Sequence, residues 1–266
     1  MAILIADNIE KIYEGGRGGV AALRGVSFEA AGGDFIALMG PSGCGKSTLL
    51  HILGGMDRPT RGRVMLGDVS LDSLPEEKLA RLRRKRIGFV FQFFNLLPTL
   101  TVAENVSLPL MLDGADDRQS RDRTNTLLER VGLGARADHY PAELSGGEMQ
   151  RAAVARAIIA GPQLILADEP TGNLDTGNGE QVMRLLADLN REMGITIILA
   201  THSEEAAMHT RRVIHMRDGL IERERSAAPD SEVPDSEAPD SKAQDSEAQD
   251  LETPELQVIK SGASES

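Results

Sequence analysis

The run Gly40-Pro41-Ser42-Gly43-Cys44-Gly45-Lys46-Ser47-Thr48 has the residue types and spacing of a loop that cradles phosphate. Glycines let successive backbone N–H groups turn inward toward an anion, and a helix starting where the loop ends adds its partial positive charge. The Lys46 ammonium is then placed to reach the β- and γ-phosphates of a nucleotide, and the Ser47 hydroxyl to ligate Mg²⁺. A second signal is Leu164-Ile165-Leu166-Ala167-Asp168-Glu169, an apolar run that ends in two acids. A carboxylate at the end of a buried strand beside such a loop, Asp168, suits the same Mg²⁺ through water, and the adjacent Glu169 suits a general base that polarises an attacking water. A third is Leu144-Ser145-Gly146-Gly147-Glu148-Met149-Gln150-Arg151, a serine-capped helix start with two glycines at its mouth.

These groups need elements to hold them. Before the loop, Phe35–Met39 is an apolar run of strand length; after it, Leu49, Leu50, Ile52 and Leu53 recur at helical spacing until Gly54-Gly55. The first 35 residues read as short strands and turns (Ile3–Ile5, Ile9–Tyr13, Val26–Phe28). Val64–Leu66 and Ile87–Phe91 read as further strands, separated by a basic helix over Lys78–Arg86 taken as a solvated face. From Phe93 to Pro141 the texture is helical: Val102–Met111 interrupted by Pro109, then Arg123–Val131 stopped by Gly132. Glu148–Ala160 is a helix closed by Gly161 and Pro162. The buried runs Leu164–Ala167 and Ile195–Ala200 flank a helix over Glu180–Met193, and Val213–Met216 with Leu220-Ile221 forms a closing hairpin. Alternating strand and helix predict an α/β fold with a mainly parallel sheet and ligands at the carboxyl ends of its strands.

At 266 residues the length allows one large or two small domains, and 41% hydrophobic residues suffice for a core of Leu, Ile, Val, Ala and Met. The net charge of −12 is unevenly spread: residues 226–266 hold 11 acids and two lysines, leaving the body only three short of neutral. That body has no basic footprint for nucleic acid. The tail repeats Ala-Pro-Asp-Ser-Glu and near copies from Ala228 to Asp250 and predicts disorder, with 251–259 slightly more apolar. The single cysteine, Cys44, excludes an intramolecular disulfide framework and fits a reducing compartment. Asp7 closely follows the N-terminus without a basic leader, so no signal peptide is expected, and no run reaches the roughly 18–20 apolar residues of a membrane span.

Together the phosphate loop, the Asp168-Glu169 strand end and Leu144-Ser145-Gly146-Gly147 resemble the ATPase subunit of an ATP-binding cassette (ABC) transporter over residues 1–225. The resemblance implies a P-loop NTPase core with an N-terminal antiparallel β-subdomain and an inserted helical subdomain over about 93–160, followed by an acidic tail, 226–266. It implies ATP and Mg²⁺ as ligands. ATP would be held by Gly40, Ser42, Gly43, Cys44, Gly45, Lys46, Ser47 and Thr48, with Tyr13 stacking on the base; Mg²⁺ would be held by Ser47, Gln92 and Asp168. Gln92 resembles the glutamine that touches Mg²⁺ and senses the membrane partner, His202 the switch histidine at the γ-phosphate, and Asn173-Leu174-Asp175 the loop across a dimer seam. Such cassettes pair head to tail, so Ser145, Gly146 and Gly147 would cap the γ-phosphate on a second copy.

Phe91-Gln92-Phe93-Phe94-Asn95-Leu96-Leu97-Pro98 and Leu50-His51-Ile52-Leu53-Gly54-Gly55-Met56-Asp57 are similar to the LolD- and MacB-like cassettes of lipoprotein release and macrolide export. These imply integral membrane permease subunits as partners, received by the helical insert, and a location on the cytoplasmic face of the inner or plasma membrane. Cassette ATPases of DNA repair insert coiled coils or zinc modules between phosphate loop and signature; here Ser145 follows Lys46 by only 99 residues, and one cysteine cannot build a multi-cysteine zinc module. Ribosomal cassettes usually carry two copies on one chain, against one here. A cassette regulating a membrane complex without cargo would have the same ATPase sequence.

Overall fold

Two long strands open the chain in the computed structural model, which describes residues 2–14 and 19–226. Strand β1 (Ala2–Tyr13) pairs antiparallel with β2 (Val20–Ala31) along its whole length. The short strands expected here are therefore one hairpin. The polar break at Asp7-Asn8 does not end β1; Asn8 adopts φ 48, a left-handed conformation that asparagine tolerates, and the register shifts while pairing resumes at Ile9. The acidic pentad tail and the 251–259 segment lie outside the described residues.

Strand β3 (Phe35–Met39) is buried at every position and leads into the loop and α1 (Lys46–Leu53), as its apolar run predicts. β4 (Arg61–Leu66) and β5 (Val69–Ser70) complete a four-stranded antiparallel sheet in the order β2-β1-β4-β5. Helix α2 (Glu76–Arg86) follows, then β6 (Ile87–Phe91). The basic side chains of α2 hold neighbours: Arg83 bonds Gly55 O and Glu76, and Lys85 pairs with Asp113 at 2.8 Å.

The helical insert comprises α3 (Val102–Leu112) and α4 (Asp117–Arg130), and α5 (Gly146–Ile158) returns the chain to the sheet. Pro109 does not interrupt α3: the helix runs through it, started by a capping box in which Thr101 and Glu104 satisfy each other's backbone N–H groups. α4 starts six residues before the apolar periodicity does, because Asp116 caps it through the N–H groups of Arg118 and Gln119.

β7 (Leu164–Asp168), α6 (Thr176–Met193), β8 (Thr196–Thr201), the short α7 (Glu204–Met208), β9 (Arg212–Arg217) and β10 (Leu220–Ser226) close the body. α6 also begins earlier than its apolar stripe, at a cap supplied by Asp175. The second sheet runs β10-β9-β3-β8-β7-β6, parallel except for the edge strand β10. One core lies between the two sheets around Leu49, Leu50, Ile52 and Leu53 of α1; another lies on the opposite face beneath α5 and α6. The α3–α5 helices bury a third cluster around Val102, Val106, Leu128 and Ala152. The ends of β3, β6, β7 and β8 thereby converge on one rim, where ligands of parallel sheets bind.

Candidate active site

At that rim β3 delivers the phosphate loop. Gly40 has φ 151, and a Cβ there would stand 2.2 Å from Met216 O and 2.8 Å from Cys44 Sγ, so only glycine lets the loop pass β9. Gly45, at φ 107, turns the chain into α1. Lys46 is 7% exposed, and its Nζ donates to Gly40 O at 2.7 Å and Pro41 O at 3.2 Å, across the loop's own concavity. Cys44 is buried beneath the loop, as a small tolerated side chain would be.

A cavity of 510 Å³ opens above the loop, lined by Ser42, Gly43, Gly45, Lys46, Ser47, Thr48, Gln92, Glu169 and His202. Residues far apart in sequence meet here. The Ser47 hydroxyl donates to Asp168 Oδ1 at 2.9 Å, joining the start of α1 to the end of β7. Burial pushes the Asp168 carboxyl above its usual range despite that hydrogen bond, a penalty that a cation beside it would reverse. Glu169 has φ 45, sparsely populated for a residue with a side chain, which turns it out of the strand line. His202 Nδ1 lies 2.9 Å from Glu169 Oε1, and Thr201 Oγ1 donates to Oε2 at 3.3 Å.

Gln92 and Asn173 lash two loops together. Asn173 Nδ2 donates to Gln92 O at 2.9 Å, and Gln92 Nε2 to Asn173 Oδ1 at 3.3 Å. Downstream, Phe94 and Asn95 both take positive φ, and the Arg156 guanidinium donates to both their carbonyls. That fixes the loop after β6 to α5, a role that sequence spacing does not display.

Other residues singled out in the sequence stand outside this cavity. Tyr13 donates its hydroxyl to Asp57 Oδ2 at 2.8 Å and lies close to Thr48, with Lys11 Nζ 4.8 Å from its ring centroid. Burial and the bond to Asp57 push its hydroxyl pKa up. Asp175 lines an adjoining 240 Å³ cavity that shares Glu169 and His202; the Asn178 backbone and side-chain N–H groups hold its carboxyl below the usual range. Ser145 caps α5 in a reciprocal box: its Oγ accepts from Glu148 N at 3.3 Å, while its N–H and hydroxyl donate to Glu148 Oε2 at 2.8 Å each. Those bonds, with Arg136 at 3.0 Å, take the Glu148 carboxyl down to about 2. Gly146 is half-buried, and Gly147 is buried against Asn178 rather than open at the helix mouth.

This arrangement has close counterparts. A family model described as ABC transporter matches residues 23–172. The chain belongs to the ABC transporter family. It is 46% identical over 214 residues to the lipoprotein-releasing system ATP-binding protein LolD of Syntrophus aciditrophicus, covering 80% of this chain and 96% of that protein. It is 47% identical over 232 residues to the macrolide export ATP-binding/permease protein MacB of Syntrophobacter fumaroxidans. That match takes 86% of this chain but spans only 32% of MacB. The solved ATP-binding cassette MJ0796, a dimer in a post-hydrolysis state bound to ADP and Pi, superposes with a TM-score of 0.79 at 41% identity, covering 85% of this chain and 99% of that one. The chain is accordingly an ABC transporter ATPase subunit.

Proposed function

We propose that this ATPase works as a head-to-tail pair and drives a separate membrane permease of the export or lipoprotein-release kind. The observation that carries the reading is the meeting of Lys46, Ser47, Gln92, Glu169 and His202 around one cavity, while the Ser145 helix start stands outside it. A single copy thus offers a phosphate cradle and a candidate base, with a second helix start, at Ser145, outside that cradle. Pairing two copies would place each Ser145 and Gly146 over the partner's γ-phosphate, with Asp175 at the seam. The dimeric state of the similar cassette MJ0796 supports this pairing.

The donor set fits Mg²⁺. Among the described residues no group of three His, Cys, Asp or Glu side chains is placed to hold a metal. The Ser47 hydroxyl, the Asp168 carboxylate and the Gln92 amide instead make a sparse oxygen set, which suits an ion that keeps waters and binds phosphate oxygens. Bound there, the ion would neutralise charge on the β- and γ-phosphates. The chain's own residues do the remaining work. Lys46 would leave its carbonyl partners for the phosphates, and Tyr13, near Thr48, would carry the base. Glu169 would take the proton of the attacking water, with His202 orienting the γ-phosphate end.

The permease would seat in an apolar groove of 570 Å³ between α2, β6, α3 and α5, lined by Met56, Phe89, Phe91, Leu108 and Leu112. No helix of the described residues is long and apolar enough to cross a membrane, so this reading has the cassette held at the cytoplasmic face by that contact. The test is Lys46→Ala in the cassette reconstituted with its permease. Loss of ATP turnover and of permease output is expected; full turnover without the Lys46 ammonium overturns the reading.

A further inference from the structure

Gln150 lies on α5, one turn beyond Gly146, on a face otherwise built from Ala153, Val154 and Ala157. It is completely buried, and it does not line the nucleotide cavity. Its Nε2 donates to Pro170 O at 2.7 Å and to Phe91 O at 3.3 Å. Phe91 immediately precedes Gln92, and Pro170 immediately follows Glu169. One side chain therefore joins α5 to the loops that carry Gln92 and Glu169.

The same side chain is costly to the fold. Its Oε1 is buried without a hydrogen-bond partner among the described residues. Rotating the amide would set oxygen against two carbonyl oxygens, so the two acceptors fix the orientation and the unpaired acceptor stays. A methionine of similar shape would remove that orphan acceptor but would leave the buried Pro170 carbonyl without its donor, so the exchange offers no clear gain in stability. A polar group kept at such a position is explained by what it holds in place.

We propose that Gln150 is a positioning residue for ATP hydrolysis, tying the register of the Ser145 helix to the backbone on which Gln92 and Glu169 are carried. The inference rests on the assignment of Gln92 and Glu169 to the attacking water. In the paired cassette it gives a direct mechanical route. A shift of α5 on meeting the partner's nucleotide moves the Gln92 and Glu169 loops of its own copy together.

The experiment compares Gln150→Met with the wild-type full chain for melting temperature, KM and kcat, and repeats it with the slightly shorter Gln150→Leu. The expected result is a folded protein with a modestly lowered melting temperature, an unchanged KM, and a kcat lower by about 10–100-fold, the scale of a misplacement near 1 Å. Unchanged kcat in both variants overturns the proposal. So does failure of both to fold, or a fall of kcat together with ATP affinity and melting temperature, because each assigns Gln150 to packing alone. Glu169→Gln assayed alongside separates the two layers. If that variant keeps turnover, the base assignment is wrong; if it is inactive while Gln150→Met keeps full kcat, only the role of Gln150 is wrong.

Discussion

His202 Nδ1 stands 2.9 Å from Glu169 Oε1, although 33 residues separate the two. With Nδ1 turned to the carboxylate, the ring presents Nε2 on its other side. With Thr201 Oγ1 on the second oxygen, Glu169 is held at both ends of its carboxylate. Its left-handed backbone, which costs of order 1–2 kcal/mol for a non-glycine residue, is held by the Glu169 N–H donating to Ala200 O at 2.9 Å. Together these would orient Glu169, the proposed base, before the substrate arrives.

Glu169→Gln keeps the shape and an acceptor toward His202 while removing the basic oxygen. Turnover should fall by about 10²–10⁴-fold, the contribution of a positioned base, while nucleotide affinity stays within the wild-type range. Because ATP is then bound and not consumed, size-exclusion chromatography with ATP should show a stable dimer. An elution profile with monomer alone would count against both the base and the paired state.

Ser145→Arg should stop hydrolysis by the pair without weakening ATP binding to a single copy. The Ser145 Oγ does not line the phosphate cavity of its own chain, and its bonds run to Glu148. Replacing it removes an N-cap, a loss of about 1 kcal/mol, which a folded domain tolerates. The arginine would also fill the space between two copies. Titration with a fluorescent nucleotide and a phosphate-release assay check the two halves, and an unchanged hydrolysis rate refutes the shared site.

The cap of α5 also makes a pH prediction. Glu148 has its carboxyl lowered to about 2 by the Ser145 N–H, the Ser145 hydroxyl and Arg136, in that order of effect apart from desolvation, which opposes them. An unfolded glutamate titrates near ~4.3. A depressed folded value means stability that is present above the unfolded pKa and lost as pH falls toward the folded one. Wild type should therefore melt above Glu148→Gln at pH 7, with the gap narrowing below about pH 4. A gap that does not change with acidification would show that the charge contributes nothing.

The residues that meet around the cavity were largely legible because they sit beside glycine, at strand ends, or in a loop of phosphate-binding composition. β3 and β6 match their sequence boundaries because each is a short apolar run bounded by polar residues or glycine. The starts of α4 and α6 were less visible, since caps at Asp116 and Asp175 launch polar first turns with no apolar stripe. Gln150, Arg156 and Asn173 act through backbone carbonyls or amides of distant loops, and no local pattern records which carbonyl a buried side chain will meet. The one available sign was Gln150 itself, a polar residue on the apolar face of its helix.

Leu112 is 59% exposed at the lip of the apolar groove, beside Arg84, whose guanidinium donates to the Leu112 carbonyl. Substituting an exposed side chain costs the cassette at most about 0.5 kcal/mol, and the backbone carbonyl that Arg84 uses is kept. At an interface, losing a buried leucine forfeits about 1.5–3 kcal/mol, equivalent to roughly 10–150-fold in affinity. Leu112→Arg adds a cation beside Arg83, Arg84 and Arg156, which already line the groove. Basal ATPase activity of the free cassette should be unchanged, because the groove shares no lining residue with the phosphate cavity. Association with the permease, measured by co-purification from membranes, should fall at least tenfold along with permease-dependent ATPase activity. Wild-type association by this variant would move the docking surface elsewhere on the cassette while leaving the chemistry at Glu169 untouched.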